Sequence, residues 1–204
     1  GGFMYYLKLF DETLLKFDMD NTITLKITNI QILSADKKRF PEALQLEVNE
    51  ETIKEFLEQR IVPKNRTFVK NILEANDLDF RDLKGVIDIS KGLSLTDCYW
   101  IVTDDSLRFE DYNLFDNNFS SVLSLVAFTG YTSKIKGIAT SPEFTTDGAL
   151  PKAWRRINDE VFLYKGSTEY LKASNGGNEP YSEYYVFQIE KILGIKAIPY
   201  DLEK

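Results

Sequence analysis

The tightest restriction on the fold is a change of apolar spacing near residue 49. From Asn21 to Leu33, "NTITLKITNIQIL", the residues Ile23, Leu25 and Ile27 alternate with Thr24, Lys26 and Thr28. That is the period-two pattern of a strand with one wet face. "EALQLEV", Glu42 to Val48, repeats it with Leu44, Leu46 and Val48 and predicts a second strand. At Asn49 the spacing lengthens. "NEETIKEFLEQR" places Ile53, Phe56 and Leu57 on one face, acidic residues in the first turn and Asn49 where a cap belongs, which predicts a helix. A chain that mixes these periods is expected to be α+β.

Both spacings recur toward the C-terminus. "VPKNRTFVKNILEAN" predicts a second helix, with Phe68, Val69, Ile72 and Leu73 inward and Asn76 as its stop. "GVIDI" and "CYWIV" read as buried strands. "NNFSSVLSLVAFTG" reads as a helix with Phe119, Val122, Leu123 and Val126 inward and Gly130 at its end, although its apolar run also suits a strand. The polar stretch "YTSKIK" suggests a division into an N-terminal α+β subdomain, residues 3–130, and a second unit, residues 131–204. In the second unit, "PYSEYYVFQIEKILG" predicts a helix with Pro180 in its first turn, Gly194 at its stop and an apolar stripe of Val186, Ile189 and Leu193. "GIKAIPYDLE" predicts a short strand running into an extended X-Pro segment.

Charge and residue types narrow the chemistry. The net charge is −7, which repels phosphate backbones and argues against direct nucleic-acid binding. No apolar stretch is long enough for a membrane span. One cysteine, Cys98, has no internal partner and fits a reducing cytoplasm. The chain has no histidine, which removes histidine-based triads and histidine-ligated metals. Carboxylates, lysines, hydroxyls and backbone donors remain, and no metal site is expected.

One stretch concentrates those groups: "TTDGALPKAWRRINDEVFLYKGST", Thr145 to Thr168. "AWRRI" and "EVFLYK" flank Asn158-Asp159, a tight-turn pair, and so predict a hairpin. In its second strand Val161, Leu163 and Lys165 share one face and Phe162 and Tyr164 the other. Ahead of it, Asp147-Gly148 forms a turn whose N–H groups could converge on an anion. After it, Glu183 sits early in the last helix. A turn of donors, a lysine point charge and a carboxylate to steady it are what a nucleotide phosphate requires. The plainer alternative is a scaffolding hairpin with a solvated lysine and a solvated glutamate. No Walker A loop is present.

"FTTDGALPKAWRR", "FLYKGSTE" and "EPYSEYYVFQIEKILGI" resemble the start of the kinase domain in HipA-like serine/threonine kinases, the toxins of HipA/HipB-type toxin–antitoxin modules. The likeness covers roughly residues 133–204. "VPKNRTFVKNIL" and "DISKGLSLTDCYWIV" resemble the N-terminal region of a Firmicutes-type branch of that family. The resemblance implies a kinase small lobe with an antiparallel sheet and one helix. It implies a glycine-rich nucleotide loop at Thr146, Asp147, Gly148, Ala149 and Lys152, and autophosphorylation at Thr145 or Thr146. Lys165 falls at the ATP-phosphate lysine, Glu183 at its supporting glutamate, and "IPYDLE" near the hinge that lines the adenine site. Leu150-Pro151 replaces the family's glutamine-containing pair. After Lys165 the only aspartate is Asp201, and no H-x-D, D-x-x-x-x-N or D-F-G pattern occurs beyond it. The expectation is an N-terminal fragment, inactive alone, that lacks the catalytic lobe. ATP and Mg would serve the full-length parent, none would be held tightly by this fragment, and its partners would be the missing lobe and an antitoxin protein. A stand-alone regulatory module of such a system and an unrelated α+β binding domain are the alternatives.

Overall fold

The computed structural model describes residues 3–79, 81–135, 141–167 and 176–203, and the fold is α+β. Its centre is a four-stranded antiparallel sheet in the order β3-β2-β1-β4, with β1 Phe3–Leu9, β2 Glu12–Asp20, β3 Lys26–Ile32 and β4 Tyr99–Val102. The helices are α1 Glu42–Gln45, α2 Glu50–Glu58, α3 Val69–Glu74, α4 Leu83–Ser90, α5 Ser121–Thr129 and α6 Glu179–Ile192. A separate hairpin pairs β5 Lys152–Ile157 with β6 Glu160–Lys165.

Of the two central strands, β1 is covered on both faces, which blurs its apolar spacing, while β2 alternates from Leu15 to Asp20. Tyr5 and Leu7 of β1 join Phe17, Ile101 and the inward faces of α2 and α4 in one core. Tyr6 turns the other way, onto Trp100, Val102, Phe109 and Leu114. Lys8 also lies on that second face. It is buried there because its ammonium donates to the Asp105 carbonyl at 2.6 Å and pairs with the Asp105 carboxylate at 3.2 Å. In β2 a bulge opposite Leu7 and Lys8 leaves Leu14 as the extra residue, so Leu14 and Leu15 are both buried and the alternation breaks.

Several local expectations hold. Asn49 caps α2 in a capping box: its side chain accepts from the Thr52 N–H at 2.9 Å, and the Thr52 hydroxyl accepts from the Asn49 N–H at 3.0 Å. "CYWIV" supplies β4. α5 ends at Gly130 in the left-handed region, with Leu123 and Val126 buried, although Val122 faces out.

Others need correction. "EALQLEV" is a helical turn rather than a strand. Pro41 starts it, only Leu44 of its three predicted inward residues is buried, and Leu46 is 93% exposed. "GVIDI" is the middle of helix α4. The Asp82 carboxylate caps that helix by accepting from Gly85 N–H at 2.8 Å, and Leu83, Val86, Ile87 and Ser90 recur at helical spacing on its buried side. A side chain at Gly85 would collide with that cap. The predicted second helix shrinks to α3, because Phe68 sits ahead of it in the left-handed region and the helix closes at Ala75, one residue before Asn76. β3 begins only at Lys26, and Ile23 is 95% exposed. Residues 195–203 form no strand. α6 does form, but its predicted inward stripe of Val186, Ile189 and Leu193 is exposed, and none of its residues is buried. No helix among the described residues is long and apolar enough to cross a membrane.

A third core joins α3 and α5 to Val86 and Phe144. This core carries the hairpin: the Ser124 hydroxyl of α5 donates to the Trp154 carbonyl at 3.3 Å, and the Arg156 guanidinium donates to the carbonyls of Leu114 at 2.9 Å and Phe115 at 2.6 Å. β5 is therefore seated on the body of the protein, while β6 is the outer strand.

Candidate functional site

The approach to the hairpin, residues 141–152, is organised by one buried guanidinium that sequence spacing does not reveal. Arg66, 2% exposed, donates to the carbonyls of Glu143 at 3.2 Å, Thr146 at 3.1 Å and Lys152 at 2.7 Å. Its Nε is buried without a hydrogen-bond partner. Desolvation pulls its pKa down to about 10. Next to it Thr67 donates twice to the Ala149 carbonyl, from its N–H at 2.8 Å and its hydroxyl at 2.9 Å. Three otherwise stranded carbonyls and a fourth beside them thus fix the turn to the N-terminal region.

Glu143 completes the support. It is fully buried and accepts from the Trp154 N–H at 2.7 Å and from the Ser141 hydroxyl. Burial pushes its pKa up, and the hydrogen bonds and the Arg66 charge only partly oppose this. Neither Arg66 nor Glu143 stands out in the sequence. Arg66 lies in a loop segment, and Glu143 reads there as one more surface acid. Pro142, which opens a tight helical turn over Pro142–Phe144, is the one local hint.

The turn itself is closed on its own atoms. The Asp147 carboxylate accepts from the Gly148 N–H at 2.6 Å, and the Lys152 ammonium donates to the Asp147 carbonyl at 2.7 Å. Gly148 has φ 91°, and a side chain there would run into the Lys152 ammonium. Thr145 and Thr146 turn inward. The Thr145 hydroxyl donates to the Leu93 carbonyl at 2.9 Å; the Thr146 hydroxyl donates to the Pro142 carbonyl and accepts from the Trp154 indole at 2.8 Å. So at least one donor expected to meet an anion, the Gly148 N–H, is already engaged, and so are both threonine hydroxyls.

At the hairpin's end the register pairs Lys152 with Lys165, Trp154 with Leu163 and Arg156 with Val161, which puts both lysines on one face. Asn158 and Asp159, both at positive φ, make the connecting turn. From that face the Lys165 ammonium reaches Glu183 of α6, at 2.8 and 3.0 Å from its two carboxylate oxygens, and the Tyr200 hydroxyl at 3.0 Å. Burial disfavours the ammonium, but the hydrogen bonds to Glu183 and Tyr200 outweigh it and hold the Lys165 pKa above the ordinary lysine value. The neighbouring Lys152 shifts the other way, through desolvation first and then the Arg66 and Lys165 charges. Lys165 and Glu183, 18 residues apart, are thus brought together as a phosphate grip requires. Tyr200, in the segment that the resemblance would put near an adenine hinge, meets the lysine.

Two clefts open on the far side of the turn. One of about 460 Å³ lies between Thr145–Asp147 and Phe56, Tyr99 and Trp154. The other, of about 800 Å³, shares Thr145 and Asp147 and runs toward Ile61 and Arg81. Neither is lined by Lys165 or Glu183, so the lysine–glutamate pair stands outside both clefts. A scan of protein-family models found no match to this chain, and neither did searches of curated proteins and of solved structures.

Proposed function

We propose that this chain is the N-terminal region and nucleotide-gripping small lobe of a HipA-like serine/threonine kinase, and that its own task is to hold ATP phosphates rather than to transfer one. The observation that carries the reading is the 2.8 Å Lys165–Glu183 pair, on the hairpin face where Lys152 reaches back to the Asp147 turn. In such a site the lysine is a point charge for phosphate oxygens and the glutamate keeps it extended toward them. Among the described residues no cluster of three acidic or thiol side chains is placed to hold a metal. In this reading magnesium would arrive on the nucleotide, and its protein ligands would belong to the second lobe. Thr145 and Thr146 are the phosphoacceptors in this reading. Their inward hydrogen bonds mean that the loop must leave its seat to be modified, and the added charge beside Asp147 would keep it out. The work is cytoplasmic, where ATP is abundant.

A second reading, a non-catalytic interaction module of a HipA-like toxin–antitoxin system, draws on α6. Its exposed stripe of Val186, Ile189 and Leu193 suits a protein partner. That partner is the catalytic lobe in the first reading and an antitoxin in the second.

Calorimetric titration with Mg·ATP separates them. The kinase reading expects a dissociation constant in the millimolar range, roughly −4 kcal/mol, because neither cleft is lined by Lys165 or Glu183 and a nucleotide held there would bury little surface. It expects binding to vanish in Lys165→Ala and no transfer from labelled ATP. Absence of binding by the unaltered protein would leave the module. Micromolar affinity would mean that this lobe holds a complete site.

A further inference from the structure

From the Lys165 geometry we infer that Tyr200 is a gate: its hydroxyl holds the place at Lys165 that an anionic phosphate oxygen takes, and a phosphate-bearing ligand must displace it. The inference rests on the proposed phosphate grip and adds a residue and a movement to it.

A lysine ammonium has three N–H donors and no acceptor. At Lys165 three oxygens stand within reach: the two of Glu183, at 2.8 and 3.0 Å, and the Tyr200 hydroxyl, at 3.0 Å. The donors are therefore spent, and an incoming anion has to replace one acceptor. Glu183 is the poor candidate, because it carries the opposite charge and is fixed within helix α6. Tyr200 is the good one. Its hydroxyl is neutral, so an oxygen bearing negative charge makes the stronger hydrogen bond to the same ammonium.

Tyr200 is also carried on a segment built to yield. Helix α6 stops at Gly194, at φ 70°, where an added Cβ would meet nothing within 4 Å. Beyond it, Ile195 donates its N–H to the Glu190 carbonyl at 2.9 Å. After that bond, among the described residues, the Tyr200 side chain is what ties 195–203 down, through Lys165 and through a ring contact with Phe187 at 6.4 Å between centroids. Ile195, Ile198 and Leu202 are exposed. Releasing this one side chain from Lys165 and Phe187 therefore frees the segment without unpacking a core.

The test uses inorganic triphosphate, which has no base, so that contacts between residues 198–203 and adenine cannot enter. Tyr200→Phe keeps the ring against Phe187 and removes only the hydroxyl, and its melting temperature should fall by no more than about 4 °C. Triphosphate affinity is expected to rise about three- to tenfold in Tyr200→Phe, the net worth of one partly solvated hydrogen bond. In the unaltered protein the NMR signals of the Tyr200 ring should move toward free-tyrosine positions as triphosphate is added. Binding that is lost in Lys165→Ala but unchanged or weakened in Tyr200→Phe would overturn the gate and leave the phosphate grip standing. Triphosphate that fails to bind, or binds Lys165→Ala as well as the unaltered protein, would overturn both.

Discussion

The two polar networks that flank the hairpin are built from similar parts and behave as opposites. At its base Arg66 is 2% exposed and donates to three backbone carbonyls, none of which can leave without unfolding the turn. On its outer strand the Lys165 side chain is 26% exposed and holds a carboxylate and a phenol, both on side chains. A buried cation on backbone acceptors is a structural rivet. A half-buried cation on side-chain acceptors can exchange a partner. The contrast separates what holds the loop from what could hold a ligand, although both are single basic residues in the sequence.

The rivet should give the largest effect when broken. Arg66→Ala removes three charge-assisted hydrogen bonds and leaves three carbonyls without their donor, and about 3 kcal/mol of stability should be lost. Arg66→Lys should recover less than half of that, because an ammonium cannot span the three carbonyls as the planar fork does. Urea unfolding measures both. A loss below about 1 kcal/mol in Arg66→Ala would mean that water replaces the guanidinium and that the two networks are alike after all.

The Lys165 network should respond in binding rather than in stability. Lys165→Ala is expected to lower stability by less than about 1 kcal/mol, since its ion pair is partly solvated. Mg·ATP binding should weaken at least about tenfold, equivalent to about 1.4 kcal/mol. If unfolding is affected strongly and binding is not, Lys165 is a rivet too and the phosphate grip is withdrawn.

Legibility in the sequence divides along the same line. Lys165, Glu183 and the Asn158-Asp159 turn are legible because each lies in an element with a clear period or turn signature, so their faces can be counted. Arg66 and Glu143 are not, because their meaning comes from a long-range docking of a loop on a loop: Arg66 reaches residues about 80 positions away. Two covered faces blur the alternation of β1, whereas β2 alternates openly from Leu15 to Asp20, with Leu15, Phe17 and Met19 buried and Lys16, Asp18 and Asp20 not. "GVIDI" misleads for another reason: its five residues look like a strand, while the Asp82 cap and the Leu83–Ser90 spacing around them mark a helix. The contact of Tyr200 with Lys165 is not legible either, since no rule of spacing predicts where an irregular segment folds back.

Glu143 offers a finer probe of the base. Its folded-state pKa lies above the ordinary value of 4.5, so the folded protein keeps a proton that the unfolded chain has released. Below the unfolded value both states are protonated and there is no penalty. Between the two values stability falls as pH rises, because ionising the buried carboxyl is resisted. Glu143→Gln cannot ionise and should lack that slope. Urea midpoints taken from pH 4 to 7 should show the variant gaining on the unaltered protein with rising pH, by on the order of 1 kcal/mol. Parallel curves would mean that Glu143 is ionised throughout and that the Arg66 charge outweighs the effect of burial.

The smallest effect is expected where the hairpin touches neither network. Asp159 has φ 65° and comes after Asn158 at φ 51°, so the turn holds two non-glycine residues in the left-handed region. Glycine takes that conformation without a Cβ penalty, and Asn-Gly is the preferred pair for a turn of this hand. Asp159→Gly should therefore raise stability by about 0.5 kcal/mol, the relieved strain being partly offset by the greater freedom of glycine in the unfolded chain. The turn lies at the opposite end of the strands from the Lys152–Lys165 pair. Triphosphate affinity should not move. A change in affinity with this substitution would mean that strain in the turn is felt along the full length of β6, and that the ligand-gripping end is not independent of the scaffold that carries it.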